Sequence, residues 1–203
     1  MKKNKTSKSW INKKHRDPFF KQSRIQGFNS RSAFKLIEMN KKFNFIKKSS
    51  LLLDMGSSPG GWTQVATQKI SKGKVLSVDL QLMEKINNSH FIKGDIFDPE
   101  VYKKITQYFG KKIDIVISDM AANTTGNKNL DSFKTGELCL NAMDIALKIL
   151  HKDGVFISKF FMGSIFNEIM NKASMCFKKV VKYKPLSSRK ESKEIYIFCK
   201  SIS

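Results

Sequence analysis

Residues 51–66, L-L-L-D-M-G-S-S-P-G-G-W-T-Q-V-A, constrain the fold more than any other part of this 203-residue chain. Three leucines lead into an aspartate, and a stretch of glycine, serine and proline separates them from a segment with helical spacing. This order predicts a strand, a tight turn and the start of a helix. Such a turn lets a ligand approach bare backbone, and the helix end offers unpaired N–H groups.

The remainder of the chain alternates between short apolar runs and helical patterns. Strands are predicted at residues 51–54, 74–78, 90–93, 113–118 and 155–159. Helices are predicted from residue 30 onward before the first strand, and then at 61–70, 82–86, 99–109 and 133–150. This alternation indicates parallel βαβ units in a doubly wound α/β sheet. Two further runs, 177–183 and 194–200, predict a hairpin that adds antiparallel pairing to the mostly parallel sheet.

Positive charge is concentrated at the two ends of the chain. The formal net charge is +21, of which residues 1–50 contribute +13, residues 178–203 contribute +6 and the long middle only +2. Thirty-four of the 38 basic residues are lysines, so a compositional bias toward lysine is one explanation. Two basic flanks around a nearly neutral middle favour a surface that binds a polyanion, most simply nucleic acid.

Length and composition predict one folded domain preceded by a basic arm. Residues 1–29 are lysine-rich and aperiodic and predict a flexible arm, whereas residues 30–203 have the α/β pattern of a single domain. Three scattered cysteines without a CxxC pair, together with three dispersed histidines, predict no metal site and a reducing compartment. No apolar run is long enough to span a membrane and no signal peptide precedes the domain, so we expect a cytoplasmic protein.

An aspartate ends, or closely follows, four of the predicted strands: Asp54, Asp79, Asp95 and Asp119. Ligands of open α/β sheets bind outside the carboxyl ends of the strands, so these carboxylates are candidates for ligand contacts. A dinucleotide site would need the G-x-G-x-x-G fingerprint, but the turn reads G-S-S-P-G-G and lacks the second glycine. Asp79 is placed to bind ribose hydroxyls, which fits NAD and any other adenosine ligand equally.

The segment D-M-G-S-S-P-G-G-W-T-Q, residues 54–64, resembles the S-adenosylmethionine motif of the FtsJ/RrmJ (RlmE) family of RNA ribose 2′-O-methyltransferases. Six further blocks resemble that family in the same order: S-R-S-A-F-K-L (30–36), S-V-D-L (77–80), G-D-I-F-D (94–98), S-D-M-A-A-N (118–123), S-K-F-F-M-G (158–163) and S-R-K-E-S-K-E-I-Y (188–196). The resemblance implies a Rossmann-like methyltransferase fold and S-adenosylmethionine as the cofactor.

The resemblance also assigns roles to residues. It implies that Gly60 and Trp62 shape the methionine end of the cofactor site, that Asp79 binds the ribose hydroxyls and that Asp95 binds the adenine amino edge. The catalytic tetrad of the family would fall on Lys35, Asp119, Lys159 and Glu194, with Asp119 also at the cofactor. Ala122 stands where the family commonly has a proline, which adds an N–H group and frees one backbone dihedral of the substrate loop.

Compact members of the family methylate a uridine of large-subunit ribosomal RNA, so the resemblance implies a monomer that acts on that RNA, within the large ribosomal subunit. A transfer RNA or a messenger cap is an alternative acceptor for the same chemistry. A ribosome-assembly factor that binds RNA with little turnover is an alternative of another class, and an NAD enzyme is the third.

Methyl transfer to a ribose hydroxyl requires that the hydroxyl lose its proton during attack. A lysine accepts a proton only when it is neutral, so the pKa of a lysine base must fall from about 10.4. Lys159 interrupts the apolar run V-F-I-S-K-F-F, where a charge is costly unless it has a function. The resemblance identifies Lys159 as the base, with Asp119 orienting it and Glu194 positioning Lys35 or the ribose.

Overall fold

The computed structural model describes residues 17–123 and 125–203, in which a seven-stranded sheet has the order β3-β2-β1-β4-β5-β7-β6. Its strands are β1 (Leu51–Met55), β2 (Lys74–Asp79), β3 (His90–Lys93), β4 (Ile113–Ser118), β5 (Leu150–Phe161), β6 (Phe177–Tyr183) and β7 (Glu194–Ile202). Neighbouring strands from β3 to β5 pair in parallel, whereas β7 is antiparallel to both β5 and β6. The predicted mostly parallel sheet with a C-terminal antiparallel strand is confirmed.

Six helices of the described residues cover the two faces of this sheet. They are α1 (Pro18–Ile25), α2 (Ala33–Phe43), α3 (Gly61–Lys69), α4 (Pro99–Phe109), α5 (Lys128–Ile149) and α6 (Phe166–Cys176). One apolar core lies between the sheet and α4, α5 and α6, and a second lies between the sheet and α2 and α3. The strand order places the carboxyl ends of β1 to β5 along a single edge, where the strand-end aspartates predict a ligand site.

Strand β5 spans Leu150–Phe161 and is longer than the predicted 155–159, and beyond residue 29 the helices differ from the predictions at three places. No helix forms near residues 82–86, because Leu82 is 74% exposed and the segment presents no apolar face to a core. Helix α5 begins at Lys128 rather than at residue 133, since the side chain of Asn127 caps it by accepting from two backbone N–H groups. Helix α6 was not predicted; it buries Ile169 and Ala173 against the core.

Residues 17–29 are folded, in contrast to the flexible arm predicted for residues 1–29. The carboxylate of Asp17 caps α1 by accepting from two backbone N–H groups. The ring of Phe34 lies 5.6 Å from that of Phe19 and 5.8 Å from that of Phe28, so both aromatic residues pack onto α2. These contacts give the segment an apolar burial that the lysine-rich composition of residues 1–29 as a whole does not reveal. Residues 1–16 lie outside the described part of the chain.

Asp17 also joins α1 to the loop between β6 and β7. Its Oδ2 atom lies 3.0 Å from a guanidinium nitrogen of Arg31 and 3.4 Å from Nε of Arg189. The same loop is held to α2, where the carboxylate of Glu38 accepts the N–H groups of Leu186 and Ser187 at 2.6 and 2.9 Å. The loop that precedes β7 is therefore tied to the N-terminal helices.

None of the described helices has the length and the apolar character that crossing a membrane requires.

Candidate active site

A cavity of about 750 Å³ lies at the carboxyl ends of β1, β2 and β4. Its lining includes three of the four strand-end aspartates, Asp79, Asp95 and Asp119. The backbone of the turn after β1 contributes Gly56 and Ser58. The structure thus brings three carboxylates and a glycine-containing turn to one cavity, at the sheet edge where ligands of α/β proteins bind.

The turn after β1 has no room for side chains at its glycines. Gly56 has a φ of +73°, and a Cβ atom there would lie 2.2 Å from Cγ of Met120. Gly60 has a φ of +106°, and a Cβ atom there would lie 2.5 Å from Cδ1 of Ile86. Both the dihedral angles and the contacts require glycine, so the turn packs tightly against the loops that follow β2 and β4.

The carboxylate of Asp79 holds this turn in place. Its Oδ2 atom accepts the N–H of Ser58 at 2.8 Å and its Oδ1 atom accepts the N–H of Gln81 at 2.7 Å. Asp95 makes a similar local bond, accepting the N–H of Phe97 at 2.9 Å. Each carboxylate oxygen has two lone pairs, so both side chains keep acceptor sites for a ligand in the cavity.

The resemblance implies that Gly60 and Trp62 shape the methionine end of the cofactor site, and this role stays a prediction. Neither is among the described residues that line the cavity. The indole N–H of Trp62 donates to the carbonyl of Ser32 at 2.9 Å, and its ring centroid lies 5.7 Å from that of Tyr196. Trp62 therefore packs against the start of α2 and the ring of Tyr196, while Gly60 belongs to the turn after β1.

The four residues of the predicted tetrad form two ion pairs. The Nζ atom of Lys35 lies 2.7 and 2.8 Å from the two carboxylate oxygens of Glu194. The Nζ atom of Lys159 lies 3.0 Å from Oδ1 of Asp119 and donates to the Asp119 carbonyl at 2.5 Å. Both lysines are buried, with 7 and 8% of their surfaces exposed. Burying a charged ammonium group is unfavourable unless the group is paired, and each of these two groups is paired with a carboxylate.

Tyr196 connects the two ion pairs. It lies opposite Lys159 on β7, its hydroxyl donates to Oδ1 of Asp119 at 2.7 Å, and its ring lies 5.7 Å from Nζ of Lys35. Burial raises the pKa of Tyr196 well above its usual value, and the nearby charges of Asp119 and Glu194 raise it further. The hydroxyl therefore keeps its proton and acts as a donor to Asp119.

The charges of the cluster settle the protonation state of Asp119. Burial alone would raise the pKa of this carboxyl, but the ammonium groups of Lys159 and Lys35 and the hydrogen bond from Tyr196 outweigh it. The pKa of Asp119 is therefore held below its usual range. An ionised Asp119 that also lines the cavity places a fixed negative charge between the ligand site and Lys159.

The pattern of FtsJ-like methyltransferases matches residues 28–202 of this chain. The chain belongs to the FtsJ-like methyltransferase family.

Individual members of the family cover nearly the whole chain. "Ribosomal RNA large subunit methyltransferase E" of Pelagibacter ubique is 48% identical over 200 residues, which are 98% of each chain. The protein of the same name from Rickettsia akari is 41% identical over 95% of this chain and 87% of its own. A crystal structure of a ribosomal RNA methyltransferase from Plasmodium falciparum superimposes with a TM-score of 0.78 at 33% identity, covering 86% of this chain and 98% of that one.

One buried acid of this FtsJ-like chain was predicted only as a possible ligand contact. Asp54 is fully buried below the turn, where its Oδ2 accepts from Oγ1 of Thr63 at 2.7 Å, and Thr63 in turn contacts Oγ of Ser77 at 2.7 Å. Its Oδ1 atom has no hydrogen-bond partner among the described residues. Burial raises the pKa of Asp54 to about 7, an effect that the hydrogen bond from Thr63 reduces and the charges of Asp119 and Asp79 increase.

Sequence reasoning missed Tyr196 as a part of the FtsJ-like site. The signal was the alternation along β7, which places Glu194 and Tyr196 on one face of the strand. No cluster of three or more metal-ligating side chains occurs within residues 17–123 and 125–203.

Proposed function

We propose that this protein transfers a methyl group from S-adenosylmethionine to the ribose 2′-hydroxyl of a uridine in large-subunit ribosomal RNA. The buried pair of Lys159 and Asp119 at the rim of the large cavity carries the proposal. It puts a candidate base beside a cofactor-sized cavity in a chain of the FtsJ-like family.

The chemistry of the cavity suits S-adenosylmethionine. Three carboxylates line one cavity of a chain whose net charge is +21, which favours a ligand that carries positive charge and hydroxyl groups. Asp79 would accept from the ribose hydroxyls, Asp95 from the adenine amino group, and Asp119 would lie near the sulfonium. When bound, the cofactor supplies an electrophilic methyl group.

The residues of the chain perform the proton transfer and the positioning. The carboxylate and the carbonyl of Asp119 fix two directions of the Lys159 amino group, so the remaining position of the nitrogen can face the acceptor hydroxyl. In the neutral form of Lys159, after its ammonium group has released a proton to solvent, Nζ would accept the proton of the 2′-hydroxyl, while the bound methyl donor would supply the electrophilic methyl group. Positioning and general-base catalysis each contribute several kcal/mol to such a reaction.

Lys35 and Glu194 complete the acceptor side of the cluster. Glu194 holds the ammonium group of Lys35 with both of its oxygens, which fixes Lys35 beside the ring of Tyr196. In this position the charge of Lys35 also acts on Asp119 and lowers the pKa of its carboxyl group. A fixed cation near the reacting oxygen stabilises negative charge that develops on it. The pair therefore orients and polarises the ribose, and Lys159 takes its proton.

The charge distribution and the names of the relatives support ribosomal RNA as the acceptor. The excess positive charge lies in the first 50 and the last 26 residues, and the described parts of these segments meet at α2 and the loop before β7. All members of the proposed tetrad come from one chain, which supports a monomer. An acceptor in the ribosome implies action in the cytoplasm.

Tritiated methyl transfer followed by mapping of the labelled nucleotide tests this function. The protein is incubated with methyl-labelled S-adenosylmethionine and, separately, with naked large-subunit RNA, large subunits lacking the modification, transfer RNA and capped messenger RNA. We expect label on the 2′-oxygen of one uridine of the large-subunit RNA or subunit. Label on transfer RNA or on caps would reassign the acceptor, and RNA binding without label would favour the assembly-factor alternative.

A further inference from the structure

A second cavity, of about 210 Å³, lies beyond Lys159 at the end of β5. Its lining consists of one aromatic and four charged side chains, Lys128, Asp131, Phe161, Glu191 and Lys193. The large cavity lies over β1, β2 and β4, whereas this smaller cavity lies over β5 and the loop before β7. The Lys159–Asp119 pair links β5 to β4 and therefore stands between the two cavities.

Phe161 is placed directly beyond the candidate base. Alternate residues of a strand share a face, so Phe161 lies on the face of Lys159, about 6.6 Å further along β5. It pairs with Glu194 in the antiparallel register, just as Lys159 pairs with Tyr196. Phe161 is thus two residue pairs along β5 from the point where we propose that the acceptor hydroxyl reacts, and it is the next residue on the same face of the strand.

The ring of Phe161 is not part of the core. The preceding residue, Phe160, is fully buried, whereas Phe161 is only partly buried. The carbonyl group of Phe161 accepts from Oγ of Ser132 at 3.1 Å, so the backbone is fixed to α5 while the ring faces the small cavity. A partly exposed aromatic ring in a site that binds single-stranded RNA is suited to base stacking.

The charged residues at the rim complement the edge of a pyrimidine. Lys128, Glu191 and Lys193 are exposed and take part in no ion pair within the described residues. Two ammonium donors and one carboxylate acceptor match the two carbonyl groups and the N–H of uracil. Asp131 has another role, because its Oδ1 accepts from the N–H and the hydroxyl of Thr125 and anchors the loop before α5.

We propose that this cavity receives the base of the acceptor nucleotide, stacked on Phe161. The inference rests on the proposed function, because it starts from a ribose whose 2′-hydroxyl lies at Lys159. The base is attached to that same ribose, so it must lie within one nucleotide of Lys159. The large cavity holds the methyl donor on one side of the pair, and the small cavity holds the base on the other. Phe161 is then a residue that determines specificity.

Four variants separate stacking from packing. Phe161→Ala and Phe161→Leu both remove the ring, but leucine retains an apolar side chain of similar size, while Phe161→Trp keeps a stacking surface. Phe133→Ala is the matched control, because Phe133 is 47% exposed on α5 and lines neither cavity. Each protein is assayed for methyl transfer under single-turnover conditions, with calorimetric affinity for S-adenosylmethionine and thermal stability measured in parallel.

We expect Phe161→Ala and Phe161→Leu to raise the half-saturating RNA concentration about 5- to 150-fold, the range of alanine substitutions at base-stacking residues. Phe161→Trp and Phe133→Ala should stay close to wild type, and the affinity for S-adenosylmethionine should be unchanged in all four. With an acceptor RNA that carries an abasic ribose at the methylated position, the wild type should fall to the level of Phe161→Ala. For Phe161→Ala, the half-saturating concentration should be the same for the abasic RNA as for the intact RNA.

Phe161→Leu with wild-type kinetics would overturn the inference, because packing would then explain the alanine variant. The inference would also be overturned if removing the base and removing the ring raised the half-saturating RNA concentration independently, because the base would then not contact the ring. The proposed function fails in a different way, through a wild-type enzyme that labels no RNA at all. A mapped acceptor other than uridine would refute the uracil complement and leave the stacking result to stand on its own.

Discussion

Replacing Asp54 by asparagine should stabilise the protein at neutral and alkaline pH. The pKa of Asp54 is 3.8 in its ordinary state and about 7 in the fold, where the side chain is fully buried. Between pH 4 and 7 the unfolded chain has lost this proton while the folded chain keeps it, so stability falls as the pH rises through that interval. The whole loss amounts to about 4 kcal/mol, because each pKa unit corresponds to 1.36 kcal/mol.

The amide of Asp54→Asn cannot ionise, has nearly the same shape and can still accept from Thr63. Its NH₂ group would occupy the position of the unpartnered Oδ1 atom, where the protonated carboxyl also has no partner. The variant should therefore lack the pH-dependent loss. Relative to wild type, its free energy of unfolding should rise by about 3 kcal/mol between pH 5 and pH 8, the part of the loss that falls in this interval.

Urea unfolding followed by circular dichroism at pH 5 and pH 8 measures this difference. Asp153→Asn is the control, because it makes the same chemical change at an exposed position and should give the same difference from wild type at both pH values. A stability difference between Asp54→Asn and wild type that does not change with pH would refute the reasoning. A variant that is less stable than wild type at pH 8 would show that the ionised carboxylate is well accommodated below the turn.

The other predictions concern catalysis, cofactor and RNA. Lys159→Ala should lower the rate of methyl transfer about 10²- to 10⁴-fold at nearly constant cofactor and RNA affinities, and Lys159→Arg should fail as well, because guanidinium keeps its proton; an active arginine variant would refute the base assignment. Asp79→Ala should weaken S-adenosylmethionine binding by about 1.5–3 kcal/mol in calorimetry, and unchanged affinity would remove Asp79 from the site. Deleting residues 1–16, which carry seven basic and no acidic side chains, should flatten the salt dependence of RNA affinity by about 0.7 in log–log slope per lost phosphate contact. An unchanged slope would mean that this charge is compositional.

The sequence predicted most of the sheet because period-2 and buried apolar runs fix strands locally. The ends of helices and the short helices were harder to predict. The start of α5 depends on the cap at Asn127, and the segment near residues 82–86 fails to form a helix because no core surface is available to it. Folding of residues 17–29 depends on contacts with Phe34, which composition does not reveal.

The site, like the fold, contains features that could be predicted from the sequence and features that could not. Carboxylates at strand ends could be predicted to meet at one edge, because parallel strands share a direction. The pairing of Lys35 with Glu194 could not, since 159 residues separate them and any of 34 lysines could have been chosen. The resemblance to a family supplied the four residues but left open whether Glu194 holds Lys35 or the ribose, and it supplied no role for Tyr196 or for Phe161. Gly60 and Trp62 are not among the residues that line the large cavity, and the indole of Trp62 is instead hydrogen-bonded to Ser32 at the start of α2.

The position of β7 has a consequence for synthesis of the protein on the ribosome. This strand follows the other six described strands in the sequence and inserts between β5 and β6, so the edge of β5 that carries Lys159 lacks this partner until β7 leaves the exit tunnel. Unpaired strand edges are the surfaces through which incomplete chains associate wrongly. Glu194 and Tyr196 arrive with the same strand. A nascent chain can therefore complete neither its sheet nor the proposed proton-transfer cluster before β7 has been translated, and a chain cut short before residue 194 is expected to aggregate rather than to act as a weak enzyme.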